Sequence, residues 1–326
     1  MSEGGDVVVE TKPLGRTDVQ VPPLGVGTMT WGDPSGLSRY TPAKLAYGGA
    51  EGADQEAAAF EASMAAGVVL FDTAAMYSNG ASEKRLGELA HGTQALIATK
   101  FPPGIRATAA DLPGALAASL ARLGRDTIDL YQHHFPSRGV DIPTLMGLMA
   151  DAVDAGKVRA VGVSNYSAQQ LRIAHAALAE RGVPLASNQV QYSLLHRAPE
   201  TNGVLDACRE LGITLIAYQP LASGALTGKY LAGGRPRGLR PLMPNFRGKG
   251  KQAVAPVVAL LKEIGQRHEH DATQVALRWL LQQDGVLPIP GAKNAAQAAG
   301  NARALTFTLS SDELQALDSA TRAWRK

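Results

Sequence analysis

Short apolar runs recur along the chain at 24–27, 67–71, 95–99, 128–131, 158–163, 187–191, 213–217 and 286–289. Most are rich in Val, Ile and Leu without strict polar alternation, the pattern of strands buried on both faces. Between them apolar residues recur at helical spacing, which predicts helices near 55–66, 83–91, 109–123, 143–155, 168–182, 202–211, 272–283 and 294–304. Start and stop signals agree with this reading. Ser82, Ser167 and Asp271 stand where N-caps belong. Gly67, Gly156 and Gly212 stand just past predicted helix ends, where a left-handed backbone is favoured. Eight strand–helix pairs in one chain predict a (β/α)8 TIM barrel, with a doubly wound open sheet as the alternative.

Three pieces fall outside the eight pairs. Residues 8–22 read as a short N-terminal β-hairpin around the turn Gly15-Arg16-Thr17-Asp18. Two extra helices are expected near 252–267 and 311–323. The stretch 222–251 is rich in Gly, Pro and Arg and reads as a long loop, which in a compact domain is usually functional or mobile. Nothing resembles an interdomain linker, so residues 1–326 are expected to form a single domain.

Composition narrows the function classes. Hydrophobic residues make up 45% and charged residues 19%, consistent with a globular protein that buries a sizeable core. A formal net charge of +3 argues for neither a nucleic-acid nor a membrane partner and remains compatible with an anionic small molecule. The single cysteine, Cys208, excludes an intramolecular disulfide and falls in an apolar helical pattern. No segment approaches the roughly 20 apolar residues of a membrane span, and the expectation is a cytoplasmic protein.

Catalytic groups of a (β/α)8 barrel sit at the C-terminal ends of its strands. The second run ends in Asp72, with Tyr77 just beyond; the third ends in Lys100; the fourth ends in His133 and His134. An acid, a base, a histidine and a tyrosine are thereby aimed at one mouth. A phenol with a reference pKa of about 10 exchanges protons poorly at neutral pH. A nearby ammonium would lower that value, and a carboxylate would hold the ammonium charged and aimed. A neutral histidine would orient a substrate carbonyl. The set suits protonation of a carbonyl oxygen as hydride reaches carbon, and the hydride must come from a cofactor. Leu24-Gly25-Val26-Gly27-Thr28 starts like a dinucleotide fingerprint but lacks the third glycine, and no Walker sequence is present. A nicotinamide cofactor would therefore not be held in the Rossmann manner.

These residues occur within longer motifs: Phe71-Asp72-Thr73-Ala74 with Tyr77, Gly80-Ala81-Ser82-Glu83, Ala98-Thr99-Lys100 and Asp129-Leu130-Tyr131-Gln132-His133-His134-Phe135-Pro136. There follow Gly162-Val163-Ser164-Asn165-Tyr166, Asn188-Gln189-Val190, Ala217-Tyr218-Gln219-Pro220-Leu221 and Ile289-Pro290-Gly291-Ala292-Lys293-Asn294. In this order, over nearly the whole length, the chain resembles the aldo-keto reductases. The segment Lys12-Pro13-Leu14-Gly15-Arg16-Thr17 is similar to the bacterial and plant branch that includes pyridoxal reductases. The resemblance implies a tetrad of Asp72, Tyr77, Lys100 and His134, with His134 preferred over His133 because it precedes the aromatic-Pro pair. It implies that Ser164, Asn165 and Gln189 hold the nicotinamide carboxamide and that Tyr218 stacks on the ring. Leu221, Ser223, Gly224, Leu226 and Lys229 match the pyrophosphate side; Gly291, Lys293, Gln297 and Asn301 match the adenosine end. Gly300 stands where the family often has Glu, and Phe135 where it usually has Trp.

Lys293 beside a ribose 2′ position would favour a 2′-phosphate, and Asn294 opens a helix whose N–H groups suit one, so NADPH is expected over NADH. The substrate is expected to be a small-molecule carbonyl or alcohol, with Trp31 and Phe135 on the pocket wall and the segment 33–50, with Tyr40 and Tyr47, shaping it. Branch analogy points to pyridoxal as one candidate. The basic residues Arg235, Arg237, Arg240, Arg247, Lys249 and Lys251 are expected in a solvated loop, with phosphate contact as the alternative. The protein is expected to be a monomer or weak homo-oligomer. Two other classes stay open: a cofactor-binding regulatory subunit on the same fold, and a Schiff-base lyase using Lys100.

Overall fold

The computed structural model describes residues 9–32, 52–102, 108–137, 139–236 and 238–326. Eight parallel strands form the barrel: β3 (Gly25–Gly27), β4 (Leu70–Asp72), β5 (Leu96–Phe101), β6 (Ile128–His133), β7 (Val158–Ser164), β8 (Leu185–Gln191), β9 (Thr214–Tyr218) and β10 (Val286–Pro288). Each pairs with its sequence neighbours, from β3 through to β10. A doubly wound sheet would reverse direction partway, and this order does not. A parallel bridge between Gly27 and Gly291 closes the ring, with the Gly27 N–H donating to the Pro290 carbonyl at 3.0 Å. A side chain at Gly27 would lie 3.1 Å from the Ile289 carbonyl, so the seam needs glycine there.

Among the described residues the barrel helices are α1 (Ala53–Ala65), α2 (Ala81–Ala90), α3 (Leu112–Leu123), α4 (Ile142–Asp154), α5 (Ala168–Ala179), α6 (Val204–Leu211), α8 (Ala272–Leu281) and α9 (Ala295–Ala302), with α7 (Gly248–Arg267) and α10 (Ser311–Thr321) in addition. Ser167 and Asp271 cap α5 and α8 through reciprocal boxes with Gln170 and Gln274. Ser82 does not cap α2, as its position suggested. Gly80, left-handed at φ 86°, holds that place. Ser82 is buried and donates to the Thr28 carbonyl, tying α2 to the end of β3. The turn glycines Gly67, Gly156 and Gly212 all take positive φ, as their places after helices required.

The hairpin is real and has a specific seat. Strands β1 (Lys12–Pro13) and β2 (Gln20–Val21) are antiparallel. Leu14, Val19 and Val21 are buried in one cluster with Leu70, Ala98, Leu130, Ala160, Ala186, Ile216 and Leu287 from the barrel strands. Gly15, at φ 59°, donates its N–H to Thr214 Oγ1, and a Cβ there would stand 2.5 Å from the Ala186 carbonyl oxygen. The second, larger cluster lies between strands and helices.

The 222–251 stretch is more ordered than expected. It carries 3-10 turns at Ala222–Thr227, Arg240–Leu242 and Pro244–Phe246, and α7 starts already at Gly248. Arg247, Lys249 and Lys251 are exposed as expected. The segment 33–50 and Arg237 lie outside the described residues.

Candidate active site

The strand-end residues converge on one face. Asp72 ends β4 and Lys100 lies one residue from the end of β5, on the inward side of each strand. The Lys100 ammonium is fully buried and donates to Asp72 Oδ1 and to the Thr73 carbonyl, both at 2.6 Å. It reaches Tyr77 Oη at 3.5 Å and lies 4.9 Å from the centre of the Tyr77 ring. The other Asp72 oxygen, Oδ2, accepts from Gln189 Nε2 at 2.8 Å and from Gln132 Nε2 at 3.4 Å. The turn carrying Tyr77 runs through left-handed Ser78, Asn79 and Gly80 before α2 begins, and this lifts the phenol off the strand end toward the lysine.

Burial sets the protonation states here. It pushes the Tyr77 phenol above its ordinary value, against the pull of the Lys100 charge, and Asp72 adds to the rise. The ammonium alone would lower this value, as expected from the sequence; in the folded protein desolvation wins, and the phenol stays protonated. Burial also works against the Lys100 ammonium, but the Asp72 charge and the hydrogen bonds to Asp72 and Tyr77 more than offset it and the lysine holds its proton above the usual range. His134 is held neutral, down to about 2, by burial and by the neighbouring Lys100 and His133. Its ring meets Tyr77 edge-on at 5.8 Å and stacks on Phe135 at 4.6 Å. His133 is a different residue in function: it is 1% exposed, accepts or donates at Nδ1 to the Tyr166 hydroxyl at 2.7 Å, and does not line the mouth.

Asp72, Tyr77, His134 and Phe135 line a cavity of about 1330 Å³. That is larger than the roughly 300–1,000 Å³ of an ordinary small-molecule pocket. Ser164, Asn165, Gln189 and Tyr218 line it as well, and they are already bonded to one another. Ser164 Oγ donates to the Gln189 carbonyl at 2.8 Å, Asn165 Nδ2 to Ser164 Oγ at 3.0 Å and to the His134 carbonyl at 3.2 Å, and the Tyr218 hydroxyl to Asn165 Oδ1 at 3.0 Å. Asn165 takes a left-handed φ of 62° to do so. Such strain gathers where a site is pre-arranged.

The loops after β9 and β10 complete the wall. Leu221, Ser223, Gly224, Lys229, Gly291, Lys293, Gln297 and Asn301 all line the cavity. Asn294 caps α9, accepting from the Gln297 N–H at 3.0 Å, and Asn301 Nδ2 donates to the Gly291 carbonyl at 3.3 Å. Two expected contacts fail. Leu226 is fully buried beneath its loop and does not reach the cavity. Trp31 does not overlook the mouth: it is 0% exposed, donates Nε1–H to the Ala292 carbonyl at 2.7 Å and packs on Phe71. Its indole is used to pin the barrel seam. The structure adds wall residues that sequence reasoning missed or discounted. Met29, Thr30 and Met76 stand near the mouth, and Arg235, Arg240, Asp271 and Thr273 line the cationic side. Arg240 Nε donates to the Ser223 carbonyl at 3.0 Å, so part of the basic loop folds inward.

The cavity suits a large anionic ligand. Lys229, Arg235, Arg240 and Lys293 line it, as does Asn294 at the N-terminus of α9, a donor set matched to phosphates. Glycines at 224 and 291 leave room, since a Cβ at Gly291 would meet nothing nearer than 3.7 Å. A phosphate-bearing dinucleotide fits these residues.

The barrel opens this cavity onto a buried ammonium–carboxylate pair, with a protonated phenol and a neutral imidazole at the rim. The chain belongs to the aldo/keto reductase family, whose model matches residues 23–322. It is 36% identical over 321 residues to the chloroplastic pyridoxal reductase of Arabidopsis thaliana, covering 93% of this chain and 84% of that protein. It is 35% identical over 263 residues to an aldo-keto reductase of Schizosaccharomyces pombe, yakc, whose name carries NADP(+), covering 75% and 76%. Among solved structures, a thermostable aldo-keto reductase, Tm1743, in complex with the inhibitor epalrestat superposes with a TM-score of 0.76 at 28% identity, covering 95% of this chain and 99% of that one. The chain is thus an oxidoreductase of a family that acts on small molecules and typically uses a nicotinamide cofactor. Among the described residues no helix is long and apolar enough to cross a membrane.

Proposed function

We propose that the chain is an NADPH-dependent enzyme that reversibly reduces an aldehyde or ketone to an alcohol, with Tyr77 as proton donor. The observation that carries the reading is the buried Lys100 ammonium, held at 2.6 Å from Asp72 and 3.5 Å from the Tyr77 hydroxyl. When bound, a nicotinamide dinucleotide would supply the hydride. Tyr77 gives its proton to the carbonyl oxygen, and the adjacent ammonium stabilises the phenolate left behind. Asp72 keeps Lys100 charged and aimed. His134, neutral throughout the working pH range, donates to the same oxygen and fixes its approach. Ser164, Asn165 and Gln189 hold the carboxamide and Tyr218 covers the nicotinamide face. Leu221, Ser223, Gly224 and Lys229 serve the pyrophosphate, and Gly291, Lys293, Gln297 and Asn301 the adenosine. Phe135 forms a pocket wall. The reading takes the chain as one cytoplasmic barrel domain acting as a monomer or weak homo-oligomer.

Replacing Tyr77→Phe removes the proton and leaves the ring. Turnover in carbonyl reduction falls by about 10² to 10⁴ with cofactor binding retained; wild-type turnover in this variant ends the assignment. Lys293→Ala raises the Michaelis constant for NADPH by about tenfold, the worth of one charge-assisted phosphate contact, and leaves that for NADH unchanged. An equal effect on both cofactors refutes the 2′-phosphate role.

A further inference from the structure

Gln132 lies one residue from the C-terminal end of β6, 0% exposed and level with Lys100 of β5. It occupies one row of aligned residues across four strands. Lys100 of β5 is its partner on one side and Gly162 of β7 on the other; Gly162 in turn faces Ser187 of β8, at a point where the β7–β8 register shifts. The glycine is the opening. A Cβ on Gly162 would stand 2.2 Å from Ser187 Oγ and 3.1 Å from Gln132 Cγ. With that space vacant, Ser187 Oγ donates across it to Gln132 Oε1 at 3.3 Å. Because an amide has one oxygen end and one N–H end, pinning Oε1 fixes which end faces the other way. Nε2 faces Asp72 Oδ2 at 3.4 Å, beside Gln189 Nε2 at 2.8 Å.

We propose that Gln132, oriented by Ser187 through the gap at Gly162, is a positioning residue for the reaction: together with Gln189 it clamps Asp72 so that its free oxygen stays Oδ1, aimed at Lys100. The proposal rests on the proton-donor role of the Tyr77–Lys100 pair. It also gives Gln189 two tasks, with one Nε2 hydrogen committed to Asp72 and Oε1 available to a carboxamide N–H. Without the clamp the carboxylate rotates, the lysine loses its fixed partner geometry, and the phenol loses the cation that stabilises its conjugate base.

The test uses Gln132→Glu and Gln132→Met, both close to the native volume. When protonated, the introduced carboxyl offers an O–H to Asp72 in place of the N–H; when ionised, it offers only repulsion. The titratable groups facing it are Asp72 from β4 and, beyond that, Lys100 from β5. The neighbours on β7 and β8, Gly162, Ser187 and Gln189, do not titrate. Burial and the Asp72 charge both favour its protonated form. Gln132→Glu is therefore expected to reduce carbonyls near the wild-type rate at pH 5 and to lose about tenfold or more as pH rises to 8, a limb that the wild type lacks. Gln132→Met is expected to lose about tenfold in kcat at every pH, with the KM for cofactor unchanged. Without cofactor, the thermal midpoint of Gln132→Glu should fall relative to wild type over the same pH range. A profile for Gln132→Glu parallel to wild type, or wild-type kcat in Gln132→Met, overturns the proposal. If Gln132→Glu does not fold, Ser187→Ala replaces it: a drop in kcat without a change in KM supports the clamp, and unchanged kcat overturns it. Tyr77→Phe, assayed alongside, separates the two readings. An inactive Tyr77→Phe with a wild-type Gln132→Glu profile sinks the clamp alone, whereas an active Tyr77→Phe sinks the proton-donor role beneath it.

Discussion

At one end of the barrel Leu70, Ala98, Leu130, Ala160 and Ile216 meet the hairpin residues Leu14, Val19 and Val21 in a sealed apolar plug. Two residues further along the same strands stand Asp72, Lys100, Gln132, Gly162 and Tyr218, around a hydrogen-bonded polar cluster and an open cavity. A step of two along a strand keeps a side chain on the same face. The two ends are therefore neighbouring layers of one interior, and they differ only in what fills them. The plug layer is held by area removed from water and tolerates any side chain of the right volume. The layer above it depends on each donor meeting its acceptor, because a buried polar group left unmatched is costly. Stability is concentrated below and chemistry above, within two residues of each other.

The contrast can be broken at its upper layer first. Lys100→Met leaves the Asp72 carboxylate buried beside two amides and no cation, and is expected to cost about 3–5 kcal/mol as well as nearly all turnover. Adding Asp72→Asn to it should restore most of the stability and none of the activity. Urea unfolding and a reductase assay on both variants check this, and a single variant as stable as wild type would contradict it. In the lower layer, Leu130→Ala should cost about 2–5 kcal/mol through the cavity it leaves, with kcat of the folded fraction unchanged. A loss of kcat there would mean that the layers are mechanically coupled.

The smallest effect concerns pH. Burial holds the folded His133 down to about 4 and His134 down to about 2. Below the unfolded value of about 6.5 the unfolded chain binds protons that the folded chain does not, so stability falls as pH drops. The loss continues to the folded values, and from pH 6.5 to 5 it amounts to roughly 2 kcal/mol per histidine. Denaturation midpoints at these two pH values should show it, and His133→Asn should remove about half of the slope. An unchanged slope in that variant would exclude His133 as a contributor.

How far this was legible in the sequence depended on whether a residue acts through its chain position or through its partners across the barrel. Continuous apolar runs marked the eight strands, and strand-end positions brought Asp72, Lys100 and His134 forward, because period and handedness alone decide where a strand end points. Gln132 directly follows the apolar run 128–131 and was passed over for the two histidines beyond it, because a strand-end amide names no chemistry by itself. Its partners lie 55 and 60 residues away in sequence, and only the register joins them. Trp31 was misplaced for the same reason: the carbonyl that accepts its N–H belongs to Ala292, 261 residues away. The basic loop was read by composition as solvated, whereas Arg240 turns inward and donates to the Ser223 carbonyl. For Tyr77 the pull of the ammonium was anticipated but not the larger opposing effect of burial, so the sign was mistaken; the weight of burial cannot be read before the fold is known.

The seam between β3 and β10 also sets an order of events. Gly27 waits for Gly291, and Trp31 for Ala292. A ribosome releases the first partner of each pair long before it has made the second. Through most of synthesis, then, the nascent chain is an open, curling sheet whose leading edge has no mate, and the hairpin near its start has no complete floor to seal. Contacts of such sequence separation form slowly. The ring closes only after Gly291 and Ala292 have been made, more than 260 residues behind their partners.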